Sequence, residues 1–153
     1  MRRYKNLTFN AYILSPVSMS RFTSTNYSEG AFNFATLALR LTFGIIILWH
    51  HGVAKLKGFS TLQYTFFDPF HIGHRWSLVL VIFAEVLCAA LVIIGFVTRI
   101  ALVPLIITLG VALALYHRGQ GLINTELAWL YLTAFLALLL TGPGRISVDG
   151  MTN

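Results

Sequence analysis

Four apolar runs dominate this chain and leave it few ways to fold. They cover about residues 32–55, 76–97, 100–116 and 125–141. A membrane-spanning helix needs about 20 such residues, with a usable range of roughly 17–25. The third and fourth runs sit at the short end of that range, so they tilt little or borrow residues from their flanks. Of the 153 residues, 57% are hydrophobic and only 10% are charged. A soluble domain carries about 25% charged residues. This chain therefore cannot cover a water-facing surface, and its apolar faces must meet lipid. The expected fold is an all-α membrane protein, a four-transmembrane-helix bundle.

The connections between the runs are unequal. Residues 1–31 read as a flexible basic tail, with Arg2, Arg3, Lys5 and Arg21 among many Ser, Thr and Asn. The apolar stretch from Ala11 to Leu14 stops at Ser15 and Pro16, too short for a signal-peptide core. Thr98 and Arg99 form a very tight turn between the second and third runs. The segment from His117 to Gly121 is a short glycine-rich loop. The longer segment from Leu56 to Arg75 holds Asp68, His71 and His74 with Tyr64, Phe66, Phe67 and Phe70, and leads into Trp76. It is expected to be a structured aromatic loop or lid at headgroup level. Arg2, Arg3, Lys5, Arg21, Arg99 and Arg145 fall on one side, against Lys55, Lys57, Arg75 and Arg118 on the other. That bias places both termini in the cytoplasm.

Several function classes drop out. Cys88 is the single cysteine, so an intrachain disulfide and a cysteine-based metal cluster are both excluded. In its apolar run it reads as a packing residue. Basic residues do not interleave with aromatics as they would in a nucleic-acid binder. The net charge of +6 reads as topology and contact with anionic lipid.

Ionisable groups within a span are costly and usually face the bundle interior. Arg40, Gly44, Ile47 and His51 form one helical stripe at i, i+4, i+7 and i+11. Glu85, Ala89, Val92 and Phe96 form a second, and Glu126, Leu130, Thr133 and Ala137 a third. All three are expected to point inward, with Arg40 paired to Glu85. The five histidines, Asp68 and Glu126 gather toward the outer side, with Glu85 beneath them and Arg40 deeper. The functional reading is a polar pocket that opens outward, for a quinone headgroup or for proton movement. The bland reading is an ion pair that only fixes helix packing. Metal and haem fit less well. His71 and His74 are three apart, and His50 and His51 point about 100° apart on a helix. Neither spacing matches a strong metal motif. Trp129 and Tyr131 read as interfacial or packing residues.

These residues also resemble a known family. Arg40, Gly44, His51, Gly52 and Lys55 look like the first-helix signature of the DoxX family. Ile82 to Glu85, followed by Gly95, Thr98 and Arg99, resembles its second helix and turn. Glu126 to Tyr131 and the segment from Gly142 to Asp149 resemble its fourth helix and C-terminal end. The resemblance covers about residues 36–149 and implies a four-helix domain over residues 32–149 in the bacterial inner membrane. It also implies a subunit supporting a redox process, as in thiosulfate:quinone oxidoreduction or complexes handling thiol or oxidative stress.

The resulting expectation is a DoxX-like membrane subunit that binds a quinone. His51, Glu85 and Glu126 are the candidate proton-exchanging, catalytic groups. Arg40 holds Glu85 ionised, and Lys55 is a cationic donor at the pocket mouth. Together, Arg40, His51, Lys55, Glu85 and Glu126 form the candidate binding set. The chain carries no flavin fingerprint, so electrons must come from a protein partner such as a soluble dehydrogenase or thiol protein. Lipid surrounds the bundle, and a second copy of the chain is a further candidate partner. The rivals are a membrane scaffold or assembly factor with purely structural charges, and a small transporter or proton channel.

Overall fold

The computed structural model describes residues 28–119 and 121–152. Among the described residues there are six helices: α1 (Glu29–Lys57), α2 (Phe59–Leu62), α3 (His74–Ile94), α4 (Thr98–Tyr116), α5 (Leu122–Thr141) and α6 (Val148–Thr152). Among the described residues there is no strand. Helices α1, α3, α4 and α5 are each long and apolar enough to cross a membrane. Helix α1 packs on α3, α3 on α4 and α4 on α5, and α5 closes the ring against α1. The core between them is built from residues such as Ile47, Ala89, Val92, Leu102, Leu105 and Phe135. Large apolar side chains such as Leu80, Ile100, Ile107 and Leu140 remain exposed on the outer faces. That is the pattern of a bundle solvated by lipid.

The helix ends differ from the sequence expectation in instructive ways. Helix α1 starts at Glu29, three residues before residue 32. The Ser28 hydroxyl accepts from the Ala31 N–H and starts the helix there. The rest of the expected tail lies outside the described residues. Helix α3 stops at Ile94, and the turn runs through Gly95 and Val97. Thr98 and Arg99, expected as that turn, instead open α4. Both Gly95 (φ 74°) and Val97 (φ 47°) are left-handed, a conformation that favours glycine at the first position. The cap of α4 comes from the far end of the chain. The Asp149 carboxylate accepts from the Val97 N–H at 2.7 Å and from the Thr98 N–H and hydroxyl, each at 2.8 Å.

The same C-terminal segment is tied to α1. Asn33 Oδ1 accepts from the Arg145 N–H at 2.8 Å. Arg40 Nη2 donates to the Ile146 carbonyl at 2.6 Å. Residues 142–152 thus close one end of the bundle. At the other end, the loop between α2 and α3 is ordered around Asp68. Its carboxylate accepts from the Ile72 N–H, the Gly73 N–H and the Ser77 hydroxyl. The Phe67 ring meets Tyr116 of α4 edge to face at 5.4 Å. Tyr64, Phe70 and Trp76 stay exposed, as suits side chains at headgroup level.

Two features bring α1 and α3 unusually close. A Cβ on Gly52 would stand 2.6 Å from the Glu85 carbonyl oxygen, and one on Gly44 would stand 2.7 Å from the Ile93 side chain. Both helices also carry a π-helical stretch at this contact, Ile47–Val53 and Phe83–Cys88. Such insertions re-aim side chains and recur at functional sites.

Two outcomes are expected. Gly52→Val should destabilise the detergent-solubilised bundle by about 1–3 kcal/mol, because backbone rather than a flexible side chain stands in the way. An unchanged melting temperature would contradict the close approach. Asp149→Ala should cost about 1 kcal/mol, as for a lost helix cap. Partial burial works against the ionised Asp149. The hydrogen bonds from Thr98 and Val97 and the facing Arg40 outweigh it and hold the carboxyl below its usual value. A lowered folded pKa means that this stabilisation is full above about pH 4 and fades as pH falls further. The wild type should therefore lose its advantage over Asp149→Ala in acid melts. An advantage that persisted undiminished at low pH would count against the charged cap.

Candidate functional site

The polar centre of the bundle is an ion pair between α1 and α3. Lys55 Nζ donates to both carboxylate oxygens of Glu85, at 2.9 and 2.7 Å. Glu85 lies about halfway along His74–Ile94, and its side chain is 8% exposed. The Lys55 side chain is 23% exposed, so the pair opens toward the surface on the lysine side. Lys55 starts nearer the loop end of the bundle and reaches inward along its aliphatic stem. Isolated charges at this depth would be costly, and mutual pairing relieves that cost. Beside the pair, Gly52 of α1 approaches the Glu85 backbone closely, and both helices carry a π-helical stretch.

His51 and Tyr131 complete the cluster. His51 is one helical turn before Lys55 and close enough to feel its charge. Its ring meets Tyr131 of α5 edge to face at 5.7 Å. Tyr131 is 6% exposed, lies within electrostatic reach of Glu85, and is flanked by Phe43 and Phe135. The arrangement brings together a carboxylate, an ammonium, an imidazole and a phenol. It can offer hydrogen-bond donors and acceptors to a polar ligand, and it can hold and pass protons.

Arg40 is the first correction. It does not pair with Glu85. It lies level with Gly95 at the end of α3, where a Cβ would overlap its guanidinium. Gly95 is ten residues from Glu85, or about 15 Å along a helix. Arg40 is 1% exposed, and beyond its bond to the Ile146 carbonyl, Nε and Nη1 have no hydrogen-bond partner among the described residues. Its opposing charge is Asp149. The long α1 extends past the end of α3, so a residue that looks deep in the sequence sits under the C-terminal segment.

Glu126 is the second correction. It is exposed, and it lines a shallow outward cleft with Trp129, Leu130 and Thr133. The inward face of α5 carries Tyr131, Ala134, Phe135 and Leu138 instead. Tyr131 is five residues on from Glu126, or about 140° around the helix. The stripe of Glu126, Leu130 and Thr133 was therefore the wrong face. The stripes of α1 and α3 do face inward, except that Phe96 is exposed beyond the end of α3.

The histidines do not form one group. His50, His71 and His74 are exposed, and His117 stacks edge to face on Tyr116. Among the described residues, no three His, Cys, Asp or Glu side chains are placed to share a metal ion. Tyr131 was missed as a site member because its ring also reads as ordinary packing. Lys55 was detectable as the partner of Glu85. The stripe of Arg40, Gly44, Ile47 and His51 continues at i+4 to Lys55.

No curated protein and no solved structure matches the chain. The family model described as DoxX matches residues 35–118. That stretch is more than half of the chain. It contains Arg40, His51, Lys55 and Glu85, and it ends before Glu126 and Tyr131. The chain is a multi-pass membrane protein by its four apolar helices, and it belongs to the DoxX family.

Proposed function

We propose that the protein is a membrane subunit of a redox complex whose Lys55–Glu85 centre binds the polar head of a quinone-class ligand. The observation that carries this reading is the placement of that ion pair. It sits halfway through a span, beside His51 and Tyr131, where two helices depart from α-helical geometry. A pair placed only for packing needs neither an imidazole nor a phenol beside it. Lys55 would donate to a ligand carbonyl oxygen. A quinone takes up two protons on reduction; the ion-paired Glu85 carboxylate holds none of its own, so Glu85 and His51 would relay both from the water at the loop end of the bundle. The two electrons would come from a partner, a soluble dehydrogenase or a thiol protein. Arg40 and Glu126 stand apart from this centre and are not needed by it. The setting is a bacterial inner membrane. The described ends of α1 and α6 meet at one end of the bundle, which we assign to the cytoplasmic side.

A scaffold reading has its own support. Lys55 already satisfies both Glu85 oxygens, and Gly52 packs on the backbone of Glu85. The two readings separate on one comparison. Removing one charge leaves the other buried and unpaired, at a cost of about 3–5 kcal/mol, whereas replacing both by apolar residues is often neutral. The double variant Lys55→Met/Glu85→Leu should therefore remain folded in nanodiscs. Saturable quinone binding should be present in the wild type and at least about tenfold weaker in that variant, as expected for loss of a charge-assisted contact. Equal binding by both proteins, or no binding by a folded wild type, would remove the quinone reading and leave the scaffold.

A further inference from the structure

A second site lies at the opposite end of the bundle. A cleft of about 720 Å³ opens where α4 begins and α5 ends, between α1 and the strap of residues 142–145. Helix ends mark the bilayer boundary, so the cleft is at headgroup level. We propose that it holds the phosphate of an anionic phospholipid, bound by Arg99 and Arg145. Among the described residues Arg99 forms no ion pair. Its guanidinium lies over the strap, where a Cβ on Gly142 would stand 3.4 Å from Nη2. Gly142 has φ 85°, so the strap passes under the guanidinium in a conformation that suits glycine.

Charge complementarity favours an anion. The Asp149 carboxylate is taken up by Val97 and Thr98 and faces Arg40. Glu29 offsets Arg145 through a 3.2 Å pair, but both side chains are largely exposed. Such a pair is worth little, so Arg145 is free to turn to a stronger acceptor. The cleft is lined by Arg99 and Arg145 against Glu29 and Asp149, and Arg40 behind the wall offsets Asp149, so this end of the bundle carries one positive charge in excess, which matches the single charge of a phosphodiester. Arginine forks suit phosphate oxygens, and basic pockets at membrane level bind lipid headgroups. The source is lipid rather than free phosphate because the cleft has an apolar wall. Phe32 and Ile100 line it, and Ile100 is 70% exposed on the face that an acyl chain would follow.

The test uses full-length protein in nanodiscs of phosphatidylcholine with and without phosphatidylglycerol, followed by native mass spectrometry of retained lipid. The wild type should retain phosphatidylglycerol selectively. Arg99→Gln should lower that retention about tenfold, the effect of losing one charge-assisted contact. Arg145→Gln should lower it less. Arg145 is exposed, so this variant carries the test if Arg99→Gln does not fold. Arg118→Gln, at the other end, should retain lipid like the wild type. Equal retention by wild type and both cleft variants would overturn the proposal, as would an equal loss in Arg118→Gln. A melting-temperature rise produced as fully by inorganic phosphate as by short-chain phosphatidylglycerol would also overturn it, since the site would then serve a free anion.

Discussion

The Lys55–Glu85 ion pair is the constraint around which the rest of the bundle is arranged. A carboxylate halfway through a span must be neutralised, paired or exposed to water. Here it is paired, and the pairing dictates how α1 meets α3. Lys55 must reach inward, so the backbones must be close, and Gly52 permits that by lacking a Cβ. The π-helical stretches in both helices fall at the same contact. His51 and Gly52 are adjacent and diverge around the helix, so His51 meets Tyr131 on α5 while Gly52 faces α3. The ion pair and the His51–Tyr131 ring contact together connect three of the four spans.

The other end of the bundle is organised by a separate exchange of charge. Arg40 on α1 and Asp149 on α6 face each other across the turn between α3 and α4. Gly95 makes room for the guanidinium, and Asp149 caps the helix that follows. This explains why a C-terminal segment of modest hydropathy remains docked. It carries the acceptor for a buried arginine and the cap for a spanning helix. The two polar centres have different partners and lie at different depths, so they are independent. One occupies the membrane interior and the other the boundary, where lipid headgroups are within reach.

The four spans were legible because lipid solvation demands long apolar runs, and little else competes with that signal. The inward faces of α1 and α3 were legible from the spacing of Arg40, His51 and Glu85. The partners were harder to read. Pairing depends on the register between helices, which depends on where each helix starts. Arg40 and Glu85 look like natural partners until α1 is seen to begin at Glu29 and to overhang α3. Glu126 drew attention by its charge, whereas α5 turns Tyr131 and Phe135 inward. In lipid, polarity alone does not reveal a face near a helix end, because a carboxylate there can reach the headgroups. The cap of α4 was invisible for another reason. Asp149 is 51 residues from Thr98, and local sequence patterns carry no information about so distant a contact.

A double-mutant cycle on thermal unfolding decides whether Lys55 or Arg40 is the partner of Glu85. It combines Lys55→Met with Glu85→Leu, and Arg40→Met with Glu85→Leu as the comparison. The expected coupling is about 2–3 kcal/mol for Lys55 with Glu85 and, for Arg40 with Glu85, additivity within about 0.5 kcal/mol. Strong coupling of Glu85 to Arg40, with none to Lys55, would contradict the Lys55–Glu85 pairing.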